Sequence, residues 1–176
     1  MWAESQTKDP PNTGSLQNVD HLIIGDKSRC YIDGAWRAQD LCTGQGWFYE
    51  AGGSTDTMMG AMSIRKSLSP LHAECEALIW AMECMKILRI SEVVFATECS
   101  QLVKMVSTPT EWPSFTTHME EFLRCKEFFH PFTIQHIPRA QNTLADKLVR
   151  GARNQPAAMV YVDSIPPRWL LDHEST

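Results

Sequence analysis

The first third of the chain alternates between apolar and polar residues, a pattern that predicts β-strands. Residues 30–36 alternate between apolar and polar side chains and are rich in strand-forming residues. Glycine-bearing turns separate this run from a second run at 47–49 and a third at 58–64. We expect these three runs to form an antiparallel meander.

From Pro70 onward, the apolar residues recur at helical spacing. Ser69 suits the cap and Pro70 the first turn of a helix, whose apolar positions are Leu71, Cys75, Leu78, Met82 and Met85. The pattern then predicts a strand at 93–97, helices at 100–106 and 115–129, a strand at 132–137, and a last helix from an Asn142 N-cap to about Arg153.

This order of elements predicts one α/β domain. Three strands followed by helix–strand–helix–strand–helix require a mixed five-stranded sheet flanked by helices, because parallel neighbours need crossover connections. Residues 1–20 are polar and rich in helix breakers, so we expect a flexible N-terminal segment before a domain at 21–155. Residues 156–176 form a C-terminal tail that looks too proline-rich for an internal strand or helix.

Composition narrows the function classes. The chain is 43% hydrophobic and carries a net charge of −5, so any affinity for nucleic acid must come from a local patch or a metal. Its six cysteines form no C-x-x-C pair, which predicts reduced thiols in an intracellular reducing compartment, the nucleus or cytoplasm. The sequence shows neither a signal peptide nor an apolar run of the roughly 20 residues that a membrane span requires, so no membrane partner is expected.

Four carboxylates, at points where a strand or helix begins or ends, are the candidates for chemistry: Asp33, Glu74, Glu98 and Asp146. Two helical steps rotate a side chain by about 200°. We therefore expect Glu74 to share the inward face of its helix with Leu71 and Leu78, and Glu76 to be a solvated surface charge.

The order, spacing and flanking residues of these acids resemble the ribonuclease H family, specifically the domain carried by plant retroelement reverse transcriptases. The resemblance covers about residues 30–153. It implies a sheet of order 3-2-1-4-5 and a Mg²⁺-dependent endoribonuclease acting on RNA–DNA hybrids. It also implies that the catalytic residues, which are the ligands of a two-metal site, are Asp33, Glu74, Glu98 and Asp146. Mn²⁺ is an alternative metal.

One position departs from that family. The family has an aspartate where this chain has Glu98, and the extra methylene moves the carboxylate by roughly 1.5 Å, more than Mg²⁺ ligand distances tolerate without readjustment. Reduced activity is the first interpretation. The alternative is a catalytically degenerate nucleic-acid-binding or protein-interaction module. A proofreading-type exonuclease would need an acid two residues after Asp33, where this chain has Ala35.

The expected partner is an RNA–DNA hybrid or another nucleic acid. The sequence leaves the oligomeric state open, and a monomer is favoured. The residues expected to contact it are Gly34, Arg139, Asn142 and Lys147. Around them, the segment 137–153 carries four basic residues against a single acid, a pattern that fits either a phosphate-steering patch or a solvated helix face. His136 falls inside a predicted strand, which favours a structural histidine over a catalytic one.

Overall fold

The computed structural model describes residues 27–171, without the side chain of Leu171. Its strands are β1 (Arg29–Ala35), β2 (Cys42–Glu50), β3 (Thr57–Arg65), β4 (Val94–Thr97), β5 (Thr133–His136) and β6 (Met159–Asp163). Its α-helices are α1 (Pro70–Ile87), α2 (Ser100–Ser107), α3 (Thr116–Lys126), α4 (Thr143–Arg153) and α5 (Arg168–Leu171). Short 3₁₀ turns at Pro109–Glu111, Pro113–Phe115 and Arg139–Gln141 precede α3 and α4.

The strands form one mixed sheet. The order is β5-β4-β1-β2-β3-β6, with β1, β2 and β3 antiparallel and β4 and β5 joined parallel to β1. The predicted fold class and the order of the first five strands are confirmed. The sixth strand was not predicted.

The segment after Arg153 differs from its prediction. Residues 159–163 pair antiparallel with β3 at the edge of the sheet, and α5 follows them. Prolines 156, 166 and 167 lie outside the strand, whose own residues are largely β-branched or aromatic, so the proline content does not disrupt this edge pairing. The domain boundaries at 21 and 155 stay predictions, and the segment 1–20 lies outside the described residues.

The sheet separates two apolar layers. On one face, α1 and α3 cover a large core that includes Ile32 and Trp47, both fully buried. On the other face, α4 packs over Phe48 and Ala61 from the neighbouring strands. The alternation along β1 and β2 decides which residues face which layer. Helices α1 and α4 both contact β1, from opposite faces of the sheet.

Two local predictions can be compared with the structure. Ser69 caps α1, because its side chain accepts a hydrogen bond from the backbone N–H of His72 at 3.2 Å. The side chain of Asn142 makes no capping bond to α4.

The six cysteines, all within the described range, are free thiols. Within residues 27–171, none of the helices has the length and apolar character that crossing a bilayer would require.

Candidate active site

The parallel pairing of β1 with β4 places two of the four acids side by side. Tyr31 is the register partner of Ala96, so Asp33 and Glu98 each lie two residues farther along neighbouring strands. Residues that follow parallel strands in register meet at the same edge of a sheet. The side chain of Asp33 is 5% exposed.

Glu74 comes to this edge because β1 and α1 pack closely at Gly34. A Cβ atom at position 34 would lie 2.7 Å from the backbone carbon of Ala73, so no larger residue fits without movement. The Gly34 N–H also donates a hydrogen bond to Asp33 Oδ1 at 3.0 Å. Gly34 therefore has a structural reason to be glycine, and its contact with nucleic acid stays a prediction.

Asp146 arrives from the opposite face of the sheet. Gly46 is the register partner of Asp33, and a Cβ atom there would lie 2.6 Å from Cγ2 of Val149 on α4. The missing side chain lets α4 approach the sheet beside Asp33. The amide of Asn142 fixes the start of the helix, since its Nδ2 donates to the Ile32 carbonyl at 3.0 Å.

The carboxylates influence one another strongly. Burial, together with repulsion from Glu98 and Asp146, raises the pKa of Asp33 from 3.8 to about 7, although the Gly34 N–H partly opposes this rise. Burial, followed by the charges of Asp33 and Glu98, raises the pKa of Glu74 well above its ordinary value. The four acids thus form one electrostatic cluster.

The cluster contains oxygens that no protein group satisfies. Glu74 Oε2 and Glu98 Oε2 are buried and have no hydrogen-bond partner, which is costly unless a cation compensates them. Hard carboxylate oxygens with uncompensated negative charge suit Mg²⁺ or Mn²⁺. The residues therefore fit a divalent cation.

Their present arrangement is not a finished metal site. Within residues 27–171, no three His, Cys, Asp or Glu side chains already converge as a group that could hold a metal ion. Asp146 instead forms an ion pair with Arg150, whose guanidinium lies 2.6 Å from Oδ2. The pair occupies one carboxylate oxygen of Asp146, whose charge still acts on Asp33. The sequence reasoning missed this pair, although the i,i+4 spacing signals it.

The residues expected to contact nucleic acid divide into two kinds. Arg139, in the turn before α4, and Lys147, next to Asp146, are exposed. Asn142 is 1% exposed. Its amide nitrogen donates to the Ile32 carbonyl of β1 and so positions α4, while its contact with nucleic acid, like those of Arg139 and Lys147, stays a prediction.

The expectation that Glu76 is a solvated surface charge is wrong. Its Oε2 accepts a hydrogen bond from Ser67 Oγ at 2.5 Å, and its Oε1 lies 3.3 Å from His118 Nε2. Gln45 Nε2 lies 3.4 Å from the same Glu76 Oε2. Glu76 therefore ties α1 to α3 and to the sheet. Rotation along the helix correctly separates it from Glu74 but does not reveal partners supplied by other elements.

His136 lies close to the carboxylate edge, and its structural role stays a prediction. It is the last residue of β5, pairs in register with Thr97, and is exposed. Its Nε2 lies 3.1 Å from the backbone oxygen of Glu98. The parallel register of β4 and β5 was the signal that could have placed it here.

Comparisons with known proteins identify the family. A family model described as reverse transcriptase-like matches residues 31–152. A search of the curated proteins finds no match.

Solved structures show the fold. RNase H1 from the halophilic archaeon Halobacterium salinarum is 24% identical with a TM-score of 0.65, over 71% of this chain and 96% of that one. LC11-RNase H1 in complex with an RNA/DNA hybrid is 22% identical with a TM-score of 0.59, over 70% and 94%. The prototype foamy virus protease-reverse transcriptase is 19% identical with a TM-score of 0.61, over 74% of this chain and 21% of that one.

The family match covers more than half of the chain, and the five-stranded part of the sheet has the order that the resemblance implied. The chain therefore belongs to the reverse transcriptase-like family, as a retroelement-type domain with the ribonuclease H fold.

Proposed function

We propose that this domain is a divalent-metal-dependent endoribonuclease that cleaves the RNA strand of RNA–DNA hybrids. The observation that carries the proposal is the buried cluster in which repulsion between acids helps to raise the pKa of Asp33 to about 7. Such a cluster destabilises the fold unless a cation compensates its charge, and strongly perturbed carboxylates are typical of functional sites.

The residues that would hold the metal are Asp33, Glu74, Glu98 and Asp146. Two bound Mg²⁺ ions would supply an activated water and neutralise charge on the phosphate. The protein's own contribution is positioning. The Gly34 N–H orients Asp33, Asn142 holds α4 against β1, and the ion pair with Arg150 orients the Asp146 side chain.

The choice of substrate is supported by the structural likeness to LC11-RNase H1, which was solved in complex with an RNA/DNA hybrid. Reading a hybrid depends on 2′-hydroxyls and backbone shape more than on base sequence. We therefore propose cleavage without strong sequence preference, and reduced activity because Glu98 is longer than the aspartate it replaces.

A labelled hybrid incubated with Mg²⁺ or Mn²⁺ tests the proposal. We expect cleavage of the RNA strand by the parent protein, faster in Mn²⁺, and none by Asp33→Asn. Glu111→Gln, which removes one exposed negative charge from the turn before α3, is the matched control and should cleave like the parent.

A non-catalytic binding module is the second candidate, because the acids do not converge as a ready metal group and Asp146 is paired with Arg150. Trp fluorescence during a Mg²⁺ titration separates the two functions. Trp36 lies three residues beyond Asp33 and donates a hydrogen bond to the Ser67 carbonyl. A saturable response that Asp33→Asn abolishes supports the nuclease, whereas no response supports the module.

A further inference from the structure

A cationic pocket lies farther along α4 than the carboxylate cluster. Its volume is about 360 Å³, and four of its lining residues are basic: Arg37, Lys147, Arg150 and Arg153. Among the residues that the structure describes, no acidic side chain lines the pocket, although Asp146 pairs with Arg150 and Asp40 with Arg153 from just outside it. Arg37 comes from the connection between β1 and β2, so the pocket bridges two parts of the fold.

Arg153 shows that the positive charge here is incompletely compensated. Its side chain is 7% exposed and its Nε lies 3.4 Å from Asp40 Oδ2, yet that Nε makes no hydrogen bond. Burial, and then the neighbouring charge of Arg37, lowers its pKa, although Asp40 opposes this effect. A buried guanidinium with an unused donor favours an additional anion.

The C-terminal segment completes the pocket. A Cβ atom at Gly151 would lie 2.0 Å from the indole of Trp169, so the ring packs directly on the backbone of α4. That contact places Leu170 in the wall of the pocket. The pocket is therefore built by three segments of the chain and is more than a row of basic residues on a solvated helix face.

We propose that this pocket binds a backbone phosphate of the nucleic acid held at the carboxylate cluster. The inference rests on the proposed function and adds a second anchor for the same substrate. Arg153 follows Asp146 by seven positions on the helix, which is about 10 Å along the axis. At about 3.4 Å of duplex per phosphate on each strand, a strand following α4 would place a phosphate in the pocket about three nucleotides from the cluster. Guanidinium groups match phosphate geometry well.

The test compares two charge-removing variants of the whole chain. Arg37→Gln changes the pocket, and Arg124→Gln changes an exposed arginine on α3, across the sheet from α4. Binding of a labelled hybrid is measured by fluorescence anisotropy in EDTA over a salt series. Loss of one phosphate contact should reduce the slope of log K against log salt by about 0.9, which weakens binding about eightfold at about 0.1 M salt. Arg124→Gln should match the parent.

A second measurement uses inorganic phosphate, followed by the amide NMR signals of Gly151 and Asn154 in the parent protein. We expect saturable shifts that Arg37→Gln weakens. If the parent binds hybrid but Arg37→Gln behaves like Arg124→Gln, the pocket inference is overturned and the nuclease proposal stands. If the parent neither binds nor cleaves hybrid, the proposed function fails. Phosphate shifts in that case would indicate a free-anion site and overturn the proposed contact with nucleic acid.

Discussion

Replacing Asp33 with asparagine should stabilise the metal-free protein at neutral and alkaline pH. Because the pKa of Asp33 is raised from 3.8 to about 7 in the fold, the folded state favours the protonated acid. Its contribution to stability is complete below about 3.8 and is lost as the pH rises through about 7. Above that pH the native protein contains a buried carboxylate that repels its neighbours.

The size of the gain follows from the same values. An interval of about 3 pH units at about 1.4 kcal/mol per unit gives an upper limit of about 4 kcal/mol. Solvent water and small movements of the other acids reduce the energetic cost of the buried Asp33 carboxylate. We therefore expect Asp33→Asn to raise the free energy of unfolding by about 1–3 kcal/mol at pH 8. At about 2–4 °C per kcal/mol for a chain of this size, the melting temperature should rise by roughly 2–12 °C.

Thermal and urea unfolding in EDTA at pH 8 and at pH 4 would measure the effect. The gain should be largest at pH 8 and small at pH 4, where Asp33 is protonated in the native state. Glu111→Gln, the exposed control, should change little at either pH. Mg²⁺ should stabilise the parent and not Asp33→Asn, because a cation that binds the cluster favours the folded state. Equal stability of the parent and Asp33→Asn at pH 8, or the same gain at pH 4, would refute the electrostatic account of the cluster.

Three further substitutions test the geometry. Glu76→Gln should lower the free energy of unfolding by about 1 kcal/mol, because its partners lose a charged acceptor. The control, Glu83→Gln on the same helix, should be neutral or stabilising, since Glu83 repels Glu121. Equal urea midpoints for the two variants would contradict a stabilising role of the hydrogen bonds of Glu76. Glu98→Asp should raise the hybrid cleavage rate about tenfold, which corresponds to about 1.4 kcal/mol of barrier; a slower Glu98→Asp enzyme would show that the backbone already suits glutamate. Gly46→Ala should lower the free energy of unfolding by about 1–3 kcal/mol by overpacking against α4, as measured by urea unfolding, and should slow cleavage. A fully active, equally stable variant would show that the close approach of α4 to the sheet does not depend on glycine at position 46.

The sequence predicted the elements with strong periodicity. Apolar spacing after Pro70 located α1 and its Ser69 cap, and the number of strands and crossovers predicted a mixed sheet, whereas the order of its first five strands was implied by the resemblance to the ribonuclease H family. The acids fell at element ends, so register and helix packing then brought them to one edge. These features depend on local pattern, which a sequence displays directly.

Features that depend on contacts between distant segments were not predicted. β6 is a short edge strand that pairs with β3, a strand distant in sequence. The prolines around it led to the prediction of a tail instead of a strand. The partners of Glu76 come from β2, the segment after β3, and α3. The side chain of Asn142 bonds to Ile32 instead of capping its own helix. Each partner lies outside the element that carries the residue, and all but Ser67 lie far along the chain, so local spacing carries no information about them.

Cleavage of a labelled RNA–DNA hybrid by the whole chain decides whether this domain is a nuclease. We expect that the RNA strand is cut at internal positions with Mg²⁺ or Mn²⁺, that EDTA stops the reaction, and that Asp33→Asn abolishes it while remaining folded by circular dichroism. No cleavage of hybrid by the folded parent in either metal would contradict the account. Undiminished cleavage by Asp33→Asn would contradict it equally.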